Sequence, residues 1–325
     1  MSAPRFQRGL ADFGNGCFAW LQPDGSWGWS NAGLVTDGQH SLLIDTLFDK
    51  RLTQDMLAAM RKAAPRATAQ FGTLVNTHHN GDHCYGNECV HAQEIVASRH
   101  AAQEMLREPP ALLAGFMKAA PNLGLLGDYL THCFGAFDFE NIHQTLPTTT
   151  FSGLLTRNVG GKAVDIIEVG PAHTGGDVIV HVTADRTIFT GDILFIDGHP
   201  ILWAGPAENW IAACDLILKL DAQTIVPGHG PVTDKHGVKR VRDYLLYINA
   251  EARKRFDAGM DAFEAARDIA LDDFANWGDA ERIAVNVATL YRGFGATDVP
   301  EDAATLFGQM AALWRDRKVL RSGAR

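Results

Sequence analysis

No apolar run in the chain approaches the roughly 18 residues that a membrane-crossing helix needs, so no membrane span is expected. Cysteine is scarce: five in 325 residues, an odd number, with no Cys-x-x-Cys pair. That usage excludes a disulfide framework and a thiolate zinc knuckle, and it fits a cytoplasmic chain with free thiols. Positive charge is short as well, 29 Lys+Arg against 38 Asp+Glu for a net charge of −9, and it forms no cluster. Counterion release from phosphates needs a basic face, so nucleic-acid binding and nuclease activity are disfavoured. The opening residues MSAPRFQRGLADFGNG carry arginine with no continuous apolar stretch after it, and no secretory signal is expected. Low-complexity tracts and solenoid-period repeats are also missing. What is present, 46% hydrophobic and 21% charged residues, is the composition of a packed globular chain long enough for one large domain or two ordinary ones.

The first half alternates strand and helix patterns. Ser30–Thr36 and Ser41–Asp45 read as strands joined across Asp37-Gly38, and Leu52–Ala63 reads as an amphipathic helix carrying Leu52, Met56, Leu57 and Met60. Thr73–Asn76 reads as a buried strand ending in a polar loop, followed by a strand at Glu94–Ala97 and a helix near His100–Arg107. Residues 108–137, with few charges and many Leu, Phe and small residues, form either a buried helical hairpin or an apolar lid over a pocket. Strands return at Val164–Val169, Val178–Val182, Thr187–Thr190 and Thr224–Val226, with a helix at Ala207–Leu220. Beyond Pro231 the pattern is helical: Lys239–Ala258, Ala262–Ala270, Ala280–Gly293 and Ala303–Arg315. The expectation is an α/β domain over 1–232, with the helical insertion at about 108–137 and a helical extension over 233–325 packed on it or on a second copy of the chain.

The chemistry concentrates in the loop Asn76-Thr77-His78-His79-Asn80-Gly81-Asp82-His83. Three imidazoles and a carboxylate directly after a buried strand can converge on one point, and these are ligand types that divalent metals take with open coordination positions. Gly81 is expected to permit the turn. Three further strand ends each lead into a small-residue turn with a ligand-type side chain: Pro171-Ala172-His173-Thr174-Gly175-Gly176-Asp177, Thr190-Gly191-Asp192 and Pro227-Gly228-His229-Gly230. Polar loops are common, but four such turns in one chain are not decoration.

In order and spacing these turns over roughly residues 15–232 resemble the metallo-β-lactamase superfamily, whose pattern is a His-x-His-x-Asp-His loop, a lone His, a lone Asp and a final His. The resemblance implies a four-layer αβ/βα sandwich and two adjacent metal positions. His78 and His173 fall in the first, Asp82, His83 and His229 in the second, and Asp192 between them. This chain departs at the family's second histidine, where Asn80 stands. An amide oxygen is a weaker zinc ligand than imidazole, and the neighbouring His79 points the other way on extended backbone. The resemblance thus implies one firmly held zinc and a second position that is weak or empty, and the donor set also suits iron(II) or manganese(II).

From this follows a metal-dependent hydrolase acting on an ester, lactone, thioester or amide of a small molecule, with metal-activated water as nucleophile. Asp82 is a candidate to orient that water as well as a ligand. His199, just past the Asp192 turn, is either an acid or substrate contact or an ordinary loop histidine. Two other readings stay open: an iron-dependent redox enzyme, as the superfamily includes a persulfide dioxygenase, and a binding protein that has lost its metal. β-Lactam hydrolysis is disfavoured, since that substrate is met outside the cytoplasm. Thr77 is expected to brace the ligand loop, Cys84 to pack, and Trp27, Trp29 and Trp203 to serve the core or line a pocket.

Overall fold

The computed structural model describes residues 5–323. The chain begins with β1 (Gly9–Asp12), β2 (Cys17–Leu21), β3 (Ala32–Asp37) and β4 (His40–Ile44), then α1 (Lys50–Ala63), β5 (Phe71–Val75) and the single turn α2 (Gly81–Cys84). Next come β6 (Ala92–Ser98), α3 (Arg99–Arg107), α4 (Pro110–Ala119), α5 (Leu125–Phe134) and β7 (Thr149–Phe151). The second half holds β8 (Leu154–Val159), β9 (Lys162–Glu168), β10 (Val178–Val182), β11 (Thr187–Phe189), α6 (Ala207–Lys219) and β12 (Thr224–Val226). Helices α7 (Lys235–Asp257), α8 (Ala262–Asp268), α9 (Ile283–Phe294) and α10 (Ala303–Gly323) complete it.

A seven-stranded sheet runs in order β1 to β7, and a five-stranded sheet runs β12-β11-β10-β9-β8. Alternation along each strand sends side chains to two different layers. In β2, Cys17, Ala19 and Leu21 face inward between the sheets while Phe18 and Trp20 face the helices; in β10, Val178, Val180 and Val182 face inward and Ile179 outward. Each sheet therefore carries helices on its outer face, which gives the four-layer αβ/βα sandwich. Asp49 caps α1 by accepting from the Leu52 amide at 2.7 Å, and Leu52, Met56, Leu57 and Met60 are buried along one face, as their spacing predicts.

Sequence patterning placed the central strands within two residues but passed over β1, β2, β7 and β8. β7 is three residues long, and β8 alternates exposed and half-buried positions on a sheet edge, so neither shows a clear apolar period. β2 is buried on both faces and so lacks a polar alternation.

The C-terminal helices share one hydrophobic cluster with α6 and the loop after β11, through Val238, Tyr244, Ile283 and Val287 against Leu194, Ile201 and Trp210. They also grip the segment 199–202 by hydrogen bonds. Asn286 accepts from the Leu202 amide at 2.7 Å and donates to the Pro200 carbonyl at 2.9 Å, while Thr289 donates to the Leu202 carbonyl at 2.7 Å. No helix among the described residues is long and apolar enough to cross a membrane.

Candidate metal centre

Every candidate ligand leaves the sheets at a strand end. His78 and Asn80 follow β5, Asp82 and His83 ride on α2, and His173 lies between β9 and β10; Asp192 follows β11 and His229 follows β12. Strand ends are rigid, so the turns converge with little freedom. Gly81 permits the turn without entering the left-handed region. Its φ is ordinary, and a Cβ there would run into the Tyr85 ring, so its value is close approach. Gly228 has the same role more sharply: a Cβ would collide with Asp192 Oδ1 and the Gly191 backbone.

The donor atoms form two overlapping groups. In the first, Asn80 Oδ1 lies 3.2 Å from His78 Nε2 and 2.8 Å from His173 Nε2, and Asp192 Oδ2 lies 3.7 and 3.4 Å from the same two nitrogens. In the second, His229 Nε2 is 3.2 Å from Asp82 Oδ2 and 3.4 Å from Asp192 Oδ2, and His83 Nε2 is 3.9 Å from Asp82 Oδ2 and 3.0 Å from Asp192 Oδ1. Ligands about 2.1 Å from a tetrahedral ion stand about 3.4 Å from one another, so both groups have the right size for a divalent cation.

Hydrogen bonds behind the rings fix which nitrogen faces inward. His83 Nδ1 lies 2.8 Å from Asp45 Oδ2, His173 Nδ1 lies 2.7 Å from the Ile201 carbonyl, and His229 Nδ1 lies 3.1 Å from the Gly25 carbonyl. Thr77 Oγ1 donates to Asp45 Oδ2 at 2.7 Å, which leaves its lone pairs for His78 Nδ1 at 3.0 Å. With all four Nδ1 atoms committed to acceptors, the four Nε2 atoms are the ones that face the centre. Burial drives His78 well below its ordinary pKa and His173 down to about 4, so both are neutral. Two imidazole lone pairs, the Asn80 oxygen and a carboxylate oxygen then meet with no proton among them, an arrangement that a shared cation resolves. At the second group burial opposes charge, but Asp192, Asp45 and Asp82 hold His83 well above its ordinary value, and Asp192 and Asp82 raise His229 to about 9. Asp192 itself is buried, yet His229, His83 and His78 hold it well below the usual carboxylate range. His83 Nε2 and Asp192 Oδ1 are buried 3.0 Å from one another without hydrogen-bond geometry, a pair of atoms suited to a metal.

The turn that carries Asp192 is braced from outside by Trp210 of α6, whose indole donates to the Ile193 carbonyl at 2.9 Å. Beside the cluster opens a cavity of about 670 Å³. Leu112, Leu113 and Phe116 of α4, Leu130 and Phe134 of α5, and Phe307 of α10 line it, together with Asn80, Asp82, His173, Asp192 and His229. The 108–137 insertion is thus both a helical hairpin and a wall of the pocket: α5 buries Tyr129, Leu130 and Cys133, whereas Leu112 and Phe116 of α4 line the cavity and remain exposed.

The structure brings His78, Asn80, Asp82, His83, His173, Asp192 and His229 together and leaves His199 out. His199 is fully buried in the packing of the tail, with Nε2 3.1 Å from the Phe274 carbonyl and its ring against Tyr244 and Trp277. It is not among the cavity-lining residues, because the chain at Gly198 bridges to Gly278 and turns the side chain into the helical extension. His199 thus packs within the helical tail and lies outside the cavity where the expected acid or substrate contact would stand. Burial, with Arg317 and Arg282 nearby, pushes its pKa down to about 3. The native state keeps it neutral, while the unfolded chain takes up a proton below about pH 6.5. Its contribution to stability is intact above that pH and is lost as pH falls toward the folded value. His199→Gln, which keeps a donor toward Phe274, will lose about 2 to 3 kcal/mol less stability than wild type between pH 7.5 and pH 4.5, as read by urea unfolding.

His79 turns from the cluster to lie 3.1 Å from Glu104 and 3.2 Å from Glu108. Cys84 packs, its thiol 3.1 Å from the His79 carbonyl oxygen, and Trp27 and Trp203 line the cavity whereas Trp29 does not. Sequence reasoning missed Asp45, which orients His83 and anchors Thr77, and Arg282, a buried guanidinium on the cavity wall. Asp45 stands at the end of a strand just where the other ligand turns do, and that position was the available signal.

This arrangement has counterparts among known proteins. Residues 25–229 match a family model described as the metallo-beta-lactamase superfamily. A curated relative, the beta-lactamase-like protein 2 homolog of Caenorhabditis elegans, is 20% identical over 216 residues, covering 66% of this chain and 60% of that protein. The solved sec-alkylsulfatase Pisa1 from Pseudomonas sp., described as stereoselective and inverting, superimposes with a TM-score of 0.67 at 16% identity, over 89% of this chain and 50% of its own. A metallo-beta-lactamase from Pontibacter korlensis gives 0.53 at 19% identity, over 74% of this chain and 99% of its own. The chain thus spans only part of the length of the curated relative and of the sulfatase, and likeness at these identities shows the fold.

Proposed function

The chain belongs to the metallo-β-lactamase superfamily, and from that membership and the donor geometry we propose that it is a metal-dependent hydrolase of a small molecule with an apolar body. The observation that carries this reading is the convergence of four Nε2 atoms, each fixed by an acceptor behind its ring, on the carboxylate of Asp192. His78, Asn80, His173 and Asp192 would hold one cation, and Asp82, His83, His229 and Asp192 the other, with zinc the favoured metal. A divalent ion bound there supplies a water of pKa about 7 and a Lewis acid for an ester, lactone, thioester or amide carbonyl.

The protein's own groups do the rest. Asp82 is hydrogen-bonding distance from His229 and opens on the cavity, where it can accept a proton from an incoming water and fix its direction. The Asn80 amide faces the cavity too, with Nδ2 toward His79 and the oxygen toward His78 and His173. The apolar wall from α4, α5 and α10 excludes water from the substrate body and so strengthens the polar contacts at the cluster.

Elemental analysis of protein purified without added metal, combined with hydrolysis of a panel of aryl esters, lactones and thioesters before and after chelation, tests the reading. Zinc bound at the chain together with hydrolysis that chelation removes and zinc restores is the expected result. Hydrolysis indifferent to chelation would overturn it, as would iron with oxygen consumption in place of hydrolysis, and so would a protein that takes up no metal.

A further inference from the structure

We propose that Arg282 is an anion-binding residue of the cavity, so that the substrate carries a carboxylate on its apolar body in addition to the bond that is cut. The assignment rests on the hydrolase reading for what the cavity holds, and adds a second polar anchor to it. Arg282 is among the largest fully buried side chains, at 1% exposure, and lines the cavity with Asp192 and His229. Its guanidinium is clasped between two aromatic faces, 4.3 Å from the Trp27 ring centroid and 5.2 Å from that of Phe195. Phe195 in turn stacks on His229, with centroids 5.0 Å apart and planes 5° from parallel. One ring therefore touches both the guanidinium and a ligand of the second metal position, which places the anion site beside the reacting centre.

The guanidinium is incompletely partnered. Nη1 donates to the His199 carbonyl at 2.9 Å and Nη2 lies 3.1 Å from Asp279 Oδ2, but Nε is buried and has no hydrogen-bond partner among the described residues. The neighbouring Glu281 does not supply the missing acceptor. It accepts from the Tyr129 hydroxyl at 3.1 Å, and burial, with Asp279 nearby, raises its pKa and so disfavours its charge. A buried N–H without an acceptor costs about as much as a lost hydrogen bond, so the guanidinium lining the cavity keeps unused donor capacity that a carboxylate drawn against it would meet with charge-assisted bonds. The clasp between Trp27 and Phe195 fixes the fork before the ligand arrives, so little side-chain entropy is lost on binding.

The test compares octanoate with octanamide, which share an alkyl chain and differ in charge, by isothermal titration to the protein with its own metal. Wild type is expected to bind octanoate at least about tenfold tighter. Arg282→Gln will bring that ratio to about one, since a neutral amide lacks the charge. Asp279→Asn, at a left-handed position that asparagine tolerates, removes the competing carboxylate and will raise the ratio by about threefold or more. A wild-type ratio near one overturns the assignment. So does a ratio that survives in Arg282→Gln and does not move in Asp279→Asn, because the carboxylate then sits on the metal positions. The readout is binding and not turnover. Metal-dependent hydrolysis with no octanoate preference sinks the anion site alone, and an intact preference with no hydrolysis sinks the hydrolase reading alone.

Discussion

Asp192→Ala will leave the purified protein with under about 0.2 metal equivalents per chain and lower hydrolysis by at least about 10³-fold, since metal assistance contributes several kcal/mol and each 1.4 is a factor of ten. The size of the effect follows from where the carboxylate sits. Its Oδ2 is 3.7, 3.4 and 3.4 Å from His78, His173 and His229, and its Oδ1 is 3.0 Å from His83. His83 Nε2 also lies within 4.8 Å of ligand atoms on both sides, but an imidazole nitrogen offers one lone pair, whereas the two oxygens of Asp192 can serve both groups. Removing His78, His173 or His229 weakens one position, whereas removing Asp192 weakens both and leaves the opposing Asp82 as the sole carboxylate. Circular dichroism separates loss of metal from loss of fold. A variant that stays folded and keeps a full metal complement would show that Asp192 is not the bridge.

Asn80→His is expected to raise the metal content from about one equivalent to about two, because imidazole is the stronger donor to zinc. The geometry adds a reason beyond ligand strength. Asn80 Oδ1 already occupies a corner of the first group, at 3.2 and 2.8 Å from the two histidines, so the position is built and only its donor is weak. Zinc titration of stripped protein will show a weak second step in wild type that tightens by about 10- to 100-fold in the variant, the range that changes in a ligand's surroundings produce. Two tightly held ions in wild type would mean that the amide coordinates as well as an imidazole here.

The central strands were legible as short runs rich in Val, Ile and Leu, each leading into a turn, and the four-layer sandwich followed from the family resemblance that the ligand-bearing turns carry. The seven donor residues of the cluster could be read one turn at a time. Asp45 offered only its strand-end position, since a single carboxylate there has no partner in the local sequence; its partners His83 and Thr77 are brought to it by folding. Arg282 was hidden for the same reason. It stands in a stretch read as packing, and only the crossing of the tail over the 199–202 segment sets it against Trp27 and the cavity. His199 misled in the opposite direction: nearness to Asp192 in sequence carries no information about which side of the chain faces the site.

The Ile201 carbonyl that orients His173 belongs to the strip of backbone held by Asn286 and Thr289 of α9. A ring nitrogen at the metal centre is thereby tied, through one peptide group, to a helix more than eighty residues downstream. The two are linked equilibria. Whatever loosens α9 from this strip lets the imidazole rotate and weakens the first metal position, and by the same free energy a bound ion holds the helix down. If the first position holds an ion, protease resistance of the C-terminal helices is expected to rise with its occupancy.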